Sequence, residues 1–176
     1  MLKMLLVILI FSVCVSPAFA NYNSVSCDVK GITVDTKNKK DCKTIGGNVI
    51  KDYMFVINFD TGSYSEGKLR LNGNGTSNVI YFTDRPDRES GHMGVKKFHS
   101  IWNKGKNSFK SDPPNATLSV VEKGKDSDSV ITISNPVLIG NSIEFDVVQI
   151  EGVPPGQFNT GGLFIDGFGY VAAGLR

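Results

Sequence analysis

Apolar and polar residues alternate along most of this chain, as they do in β-strands that bury one face. The alternation is strongest from Tyr53 to Phe59, where four large apolar side chains share one face and Met54 and Val56 lie on the other. Shorter segments of the same kind predict further strands, which are Val25–Val29 with a continuation through Val34, Lys68–Leu71, Asn78–Phe82, Ala116–Glu122, Ser129–Ser134, Ile143–Ile150, Gly162–Asp166 and Tyr170–Ala172. Turns rich in Gly, Asn and Pro separate these strands, as is typical of a β-sandwich or a closed barrel. We expect a β-sandwich of about eight strands, with the immunoglobulin fold as one form that it can take.

Two pairs of these strands are predicted to form hairpins. The turn Asn72–Gly75 separates Lys68–Leu71 from Asn78–Phe82, and an Asn-Gly turn between alternating segments is a strong hairpin signal. A polar turn likewise separates Ala116–Glu122 from Ser129–Ser134, which predicts a second hairpin.

One segment has helical periodicity instead. Between Gly94 and Asn103, the residues Val95, Phe98 and Trp102 recur at intervals of three and four, together with Ile101. This spacing puts them on one face of a helix. The sequence therefore predicts one short helix packed against the β core.

The first twenty residues have the order of regions found in a secretory signal peptide. Lys3 provides a positive charge, Leu5–Val15 is an apolar run, Pro17 breaks a helix, and Ala18–Ala20 supplies small residues for cleavage. We therefore expect a signal peptide over residues 1–20 and a single domain over residues 21–176. The mature protein is then exported, to a periplasm or to the extracellular space, and no later run is apolar enough to span a membrane.

Cys27 and Cys42 are the two cysteines that remain after removal of the signal peptide. In an oxidising compartment a lone pair is most simply a disulfide. It closes a loop of about 15 residues, which is worth around 3 kcal/mol on the chain-entropy estimate. A metal-binding or reactive thiol pair is the alternative, but the two residues lack the close spacing and neighbouring histidine of such a site.

Charge argues against nucleic-acid binding. The chain has a formal net charge of +2, and removal of Lys3 brings the mature domain closer to neutrality. A nucleic-acid-binding protein needs a concentrated basic face with aromatic residues for stacking, and this sequence offers neither.

The densest group of charged residues follows the strand that ends at Phe82. Asp84, Arg85, Asp87 and Arg88 lie in one loop, and Asp112 follows the predicted helix. The two arginines can pair with these carboxylates and fix the loop to the domain, because a guanidinium group binds a carboxylate through two hydrogen bonds. Alternatively, one arginine is left available to hold a carboxylate or phosphate group of a ligand.

The two histidines are the other candidates for chemistry. His92 and His99 are seven residues apart, about two turns of a helix, and Met93 adjoins His92. A copper or zinc site centred on His92, with His99 and a carboxylate such as Asp84 as further ligands, is one hypothesis. A small secreted hydrolase that uses His92 with Asp84 is another, although the sequence has none of the common hydrolase, metalloprotease or phosphate-loop motifs.

Several short motifs in this region resemble a family of small exported prokaryotic β-domain proteins with no established activity. The motifs that carry the resemblance are Tyr81–Pro86, Gly91-His92, Phe98 with Trp102, and Ser108–Ala116. The resemblance implies a common fold and does not imply an activity.

We therefore expect a secreted, non-enzymatic binding or interaction module that uses loops on a rigid β scaffold and needs no cofactor. Its partner is a protein or small ligand outside the cytoplasm. The candidate ligand-binding residues are Asp84, Arg85, Asp87, Arg88, His92 and Asp112.

Overall fold

The computed structural model describes residues 25–30, 32–73, 79–85, 87–104, 108–122, 125–167 and 169–171, so the predicted signal peptide lies outside the described residues. These residues form eleven strands and two short helices. In chain order the elements are β1 (Val25–Val29), β2 (Ile32–Thr36), α1 (Lys39–Thr44), β3 (Asn48–Ser65), β4 (Lys68–Asn72), β5 (Val79–Thr83), β6 (Ser90–Met93), α2 (Val95–Ile101), β7 (Asn115–Glu122), β8 (Lys125–Ile139), β9 (Ser142–Glu151), β10 (Gln157–Ile165) and β11 (Gly169–Val171).

Six of the strands close into an antiparallel barrel in the order β3, β4, β9, β8, β7, β10. The barrel closes where β10 pairs with β3, for example at Leu163 opposite Ile57 and at Phe158 opposite Gly62. Outside it, β1, β2, β5 and β6 continue the hydrogen-bonded sheet from β3, and β11 also pairs with β3. The expectation of a mainly β fold is confirmed.

The expected β-sandwich is wrong, because a sandwich has two separate sheets and this barrel is one closed sheet. The length of β3 makes closure possible, since its 18 residues pair with β10 over residues 55–63 and with β4 over residues 61–65. The strand β8 has register irregularities at Val130/Ile131 and Ser134/Val137. Bulges of this kind bend a strand and increase its twist, which helps a sheet curl onto itself.

The predicted hairpin around Asn72–Gly75 is also wrong. Instead of pairing with each other, β4 and β5 both pair antiparallel to β3, β4 at residues 61–65 and β5 at residues 53–57. After β4 the chain therefore returns to β3, and β5 pairs with a part of β3 that is nearer its N-terminal end. The hairpin predicted between β7 and β8 is confirmed, with Glu122 opposite Lys125 and Asn115 opposite Thr132.

The barrel interior is a packed apolar core. Tyr53, Phe55, Ile57 and Phe59 are buried, as their alternation predicts. The helix α2 is the predicted one, and its buried residues Phe98 and Ile101 belong to this core. Trp102 directly follows α2, and its ring centroid lies 4.9 Å from that of Phe109 and 5.6 Å from that of Phe145. The described residues include no helix with the length and hydropathy to cross a membrane.

The helix α1 was not predicted from the sequence. Asn38 precedes it, and the Asn38 side chain accepts a hydrogen bond from the backbone N–H of Asp41 at 3.0 Å. This is an N-cap, the arrangement that satisfies an otherwise unpaired amide in the first helical turn. Cys42 lies on α1 and forms the predicted disulfide with Cys27 on β1, with a Cα–Cα distance of 5.7 Å. The bridge ties the helix to β1, which lies between β2 and β3 in the sheet.

Candidate ligand-binding cleft

The loop between β5 and β6 is held to the domain by its acidic residues. Asp87 pairs with Lys39 of α1, and its carboxylate is also 4.0 Å from the Lys51 ammonium group on β3. Glu89 pairs with Lys51 and accepts a hydrogen bond of 2.8 Å from the Tyr53 hydroxyl. The loop is therefore fixed by contacts with α1 and β3.

The two arginines of this loop do not form the predicted network with its aspartates. Arg85 and Arg88 are exposed, and no carboxylate within the described ranges lies within 4.0 Å of either guanidinium group. Asp84 accepts a hydrogen bond of 2.6 Å from the backbone N–H of Arg85, and its carbonyl accepts one of 3.2 Å from the N–H of Arg88. The arginine side chains are thus available to solvent, and the loop does not depend on them.

Replacement of Glu89 by alanine is expected to lower the free energy of unfolding by about 2 kcal/mol, because the buried Tyr53 hydroxyl then loses its acceptor. Arg85→Ala is the matched control in the same loop, and an exposed side chain of this kind changes stability by less than about 0.5 kcal/mol. Urea denaturation of both variants measures the difference. A larger loss for Arg85→Ala than for Glu89→Ala would contradict this account of the loop.

Burial and the hydrogen bond to Glu89 raise the pKa of Tyr53 above its ordinary value. The folded state then holds this proton more tightly than the unfolded chain, in which tyrosine ionises near pH 10. The contribution of Tyr53 to stability is therefore complete below about pH 10 and is lost as the pH rises further. We expect the free energy of unfolding to fall more steeply between pH 9 and pH 11 in the wild type than in Tyr53→Phe. Urea denaturation at several pH values measures this difference. If the free energy of unfolding falls equally with pH in the wild type and in Tyr53→Phe, the assignment is refuted.

The two histidines lie in different environments. His92 is exposed on β6 opposite Ile80, while the Nε2 of His99 on α2 donates a hydrogen bond of 3.1 Å to the Pro136 carbonyl. Asp84 follows Ile80 by four residues, which is about 13 Å along a strand. The register therefore separates the Asp84 and His92 pair that a hydrolase would need. In the part of the chain that the structure describes, no group of three or more His, Cys, Asp or Glu side chains is placed to hold a metal ion.

A cleft of about 320 Å³ lies on the side of the sheet opposite the core. The side chains that give it an apolar surface are Met54, Val56, Phe82, Val130 and Phe164, and Thr117 also lines it. Phe164 of β10 pairs with Val56 of β3 on one side and with Thr117 of β7 on the other. Thr117 in turn pairs with Val130 of β8, so these residues form one row across four strands. Phe164 is 50% exposed although its neighbours Leu163 and Ile165 are buried.

A second, smaller cleft of about 190 Å³ adjoins the first, and the two share Asn115 and Asp166. Its other lining residues are Asp112, Pro113, Pro114 and Gly167. Asp112 is thus the predicted ligand-binding residue that lines one of these two clefts. The other five, Asp84, Arg85, Asp87, Arg88 and His92, line neither.

The residues of the apolar cleft were missed as a site because each was assigned only to its own strand. The sequence nevertheless contains a signal. Leu163, Phe164 and Ile165 are consecutive apolar residues, and Met54 and Val56 put apolar side chains on the face opposite Phe55. A strand that is apolar on both faces in an antiparallel sheet is covered on both sides or presents a binding surface, because only one face can belong to the core.

No protein-family model, no curated protein and no solved structure gives a significant match to this chain.

Proposed function

We propose that this chain is an exported binding module that holds the apolar part of a ligand in the cleft lined by Phe82 and Phe164. The observation that carries the proposal is the cleft itself, which has about 320 Å³ of space and a mainly apolar lining on the outside of a barrel whose core is a cluster of buried apolar side chains. Sites for small molecules typically have 300–1,000 Å³ and are lined by apolar and aromatic side chains with a few polar groups. The cleft has this composition, with Asn115, Thr117 and Asp166 as its polar residues.

Rigidity of the surrounding strands also favours binding. The cleft spans β3, β10, β7 and β8, all of which belong to the closed barrel, and β5 adds Phe82 beside Met54. A site built on paired strands is already in its binding conformation, so little conformational entropy is lost when a ligand enters. Binding is favoured over hydrolysis because Asp84 and His92 lie apart.

The proposal is tested with N-phenyl-1-naphthylamine, a neutral aromatic probe that fluoresces strongly in apolar surroundings. The wild-type domain is expected to raise its fluorescence and to bind it saturably. Phe164→Ser should weaken the binding by about tenfold, because the variant removes an aromatic contact surface of the cleft.

Val148→Ser is the matched control for this experiment. Val148 is 66% exposed on β9 of the same barrel and does not line the cleft, so its replacement should leave probe binding unchanged. Equal binding by the wild type and Phe164→Ser, or no saturable binding at all, would overturn the proposal.

A further inference from the structure

We infer that the ligand of this cleft carries a positively charged group next to its apolar part. This inference rests on the proposed function and adds the chemical class of the ligand. Its basis is the charge of the residues around the two adjoining clefts and the position of one carboxylate between them.

The lining of the two clefts contains two ionisable side chains, and both are acidic. Asp166 belongs to both clefts and Asp112 to the smaller one, while neither lining includes Lys, Arg or His. Both aspartates are exposed, and in the described ranges no Lys, Arg or His nitrogen lies within 4.0 Å of either carboxylate. A cationic group of a ligand can therefore pair with them without displacing a protein partner, whereas an anionic group would be repelled.

Backbone contacts fix the position of Asp166 at the junction of the two clefts. Its N–H donates a hydrogen bond of 2.9 Å to the carbonyl of Asn115 on the neighbouring strand. The next residue, Gly167, lies so close to β3 that a Cβ atom there would be 1.4 Å from the Tyr53 carbonyl oxygen. The backbone of Asp166 and of Gly167 is therefore held against the neighbouring strands. As a result, the Asp166 carboxylate presents its charge at one end of the apolar cleft.

The aromatic rings of the cleft favour the same class of ligand. Phe82 and Phe164 both line it, and the face of an aromatic ring attracts a cation, most strongly a weakly hydrated one such as an alkylated ammonium. The Phe164 ring lies over Gly162, where an added Cβ would be 3.2 Å from the ring Cε2 atom. Glycine at this position therefore leaves room for the ring to rest against the sheet beside the cleft.

Three probes with the same octyl chain test the inference: octyltrimethylammonium, octyl glucoside and octyl sulfate, each below its aggregation concentration. Titration calorimetry on the wild-type domain is expected to show that the ammonium probe binds about three- to tenfold more tightly than the neutral one. Asp166→Asn should lower the affinity for octyltrimethylammonium to about that for octyl glucoside. Asp128→Asn changes an exposed aspartate outside both clefts and should leave all three affinities unaltered.

The outcomes separate this inference from the proposed function. Equal affinities for the three probes that all fall in Phe164→Ser would overturn the inference and leave the binding cleft in place. A preference for octyl sulfate that is lost in the double variant Arg85→Ala/Arg88→Ala would also overturn the inference. The exposed arginines would then be the charged partner of the ligand. Binding of none of the probes, together with a negative N-phenyl-1-naphthylamine result, would overturn the proposed function as well.

Discussion

Replacement of Trp102 by alanine is expected to lower the free energy of unfolding by about 3–5 kcal/mol, the range observed when a buried aromatic residue is truncated. Trp102 is 2% exposed and joins α2 to the barrel through its contacts with Phe98, Phe109 and Phe145. The alanine variant leaves a cavity among rings from three parts of the chain, which cannot all move to fill it. The loss therefore includes the lost apolar burial and the cost of the cavity.

Asn103→Ala is the matched control, because Asn103 is the next residue and is exposed. We expect its stability to stay within about 0.5 kcal/mol of the wild type. Guanidinium denaturation gives both values, and similar slopes in denaturant would show that the same surface unfolds. A loss below about 1 kcal/mol for Trp102→Ala would mean that the helix does not depend on this packing.

Removal of the disulfide by the double change Cys27→Ala and Cys42→Ala is expected to cost about 3 kcal/mol. The bridge closes a sequence separation of 15 residues and restricts the unfolded chain, so its loss increases the entropy of the unfolded state. It also attaches α1, whose Lys39 pairs with Asp87 in the loop between β5 and β6. We therefore expect this loop to exchange its amide protons faster in the variant than in the wild type.

Reduction of the wild-type protein provides the control for the two alanine substitutions. Dithiothreitol should lower the stability of the wild type towards that of the double variant, and it should leave the variant unchanged. If the oxidised protein and the double variant have equal stability, the bridge contributes nothing and the entropy argument fails for this loop.

Local patterns in the sequence were sufficient for the elements that depend on nearby residues. The alternation from Tyr53 to Phe59 predicted the buried face of β3, and the spacing of Val95, Phe98 and Trp102 predicted α2. The Cys27–Cys42 disulfide was predicted from the two cysteines that remain after the expected signal peptide and from the oxidising compartment that export implies. Side-chain direction repeats every two residues in a strand and every 3.6 in a helix, so a few consecutive residues determine the buried faces of β3 and α2.

The helix α1 also has a local signal in the sequence, which is its N-cap. Asn38 and Asp41 are three residues apart, the spacing of an N-cap and its partner in the first turn, and their side chains are hydrogen-bonded at 3.1 Å. This capping signal was missed. A helix of six residues has too few positions for hydrophobic periodicity to identify it.

The tertiary structure alone decided the partners of the strands and of the charged loop. The strand β5 pairs with β3 and not with β4, because β3 is long enough to accept both in succession along one edge. Asp87 and Glu89 pair with Lys39 and Lys51, which are more than 35 residues away in the chain and were not considered as partners. Such choices depend on which surfaces come together when the sheet closes, and no local pattern records that.

The position of the candidate cleft was also decided by the tertiary structure. The sequence determined that Phe164 lies on the opposite face of its strand from Leu163, because consecutive side chains alternate across a sheet. Only barrel closure placed Phe164 between Val56 and Thr117 and brought Asp166 next to Asn115. The physical reason is that a strand's faces are set by its own residues, whereas its neighbours are set by long-range hydrogen bonding and by packing of the whole core.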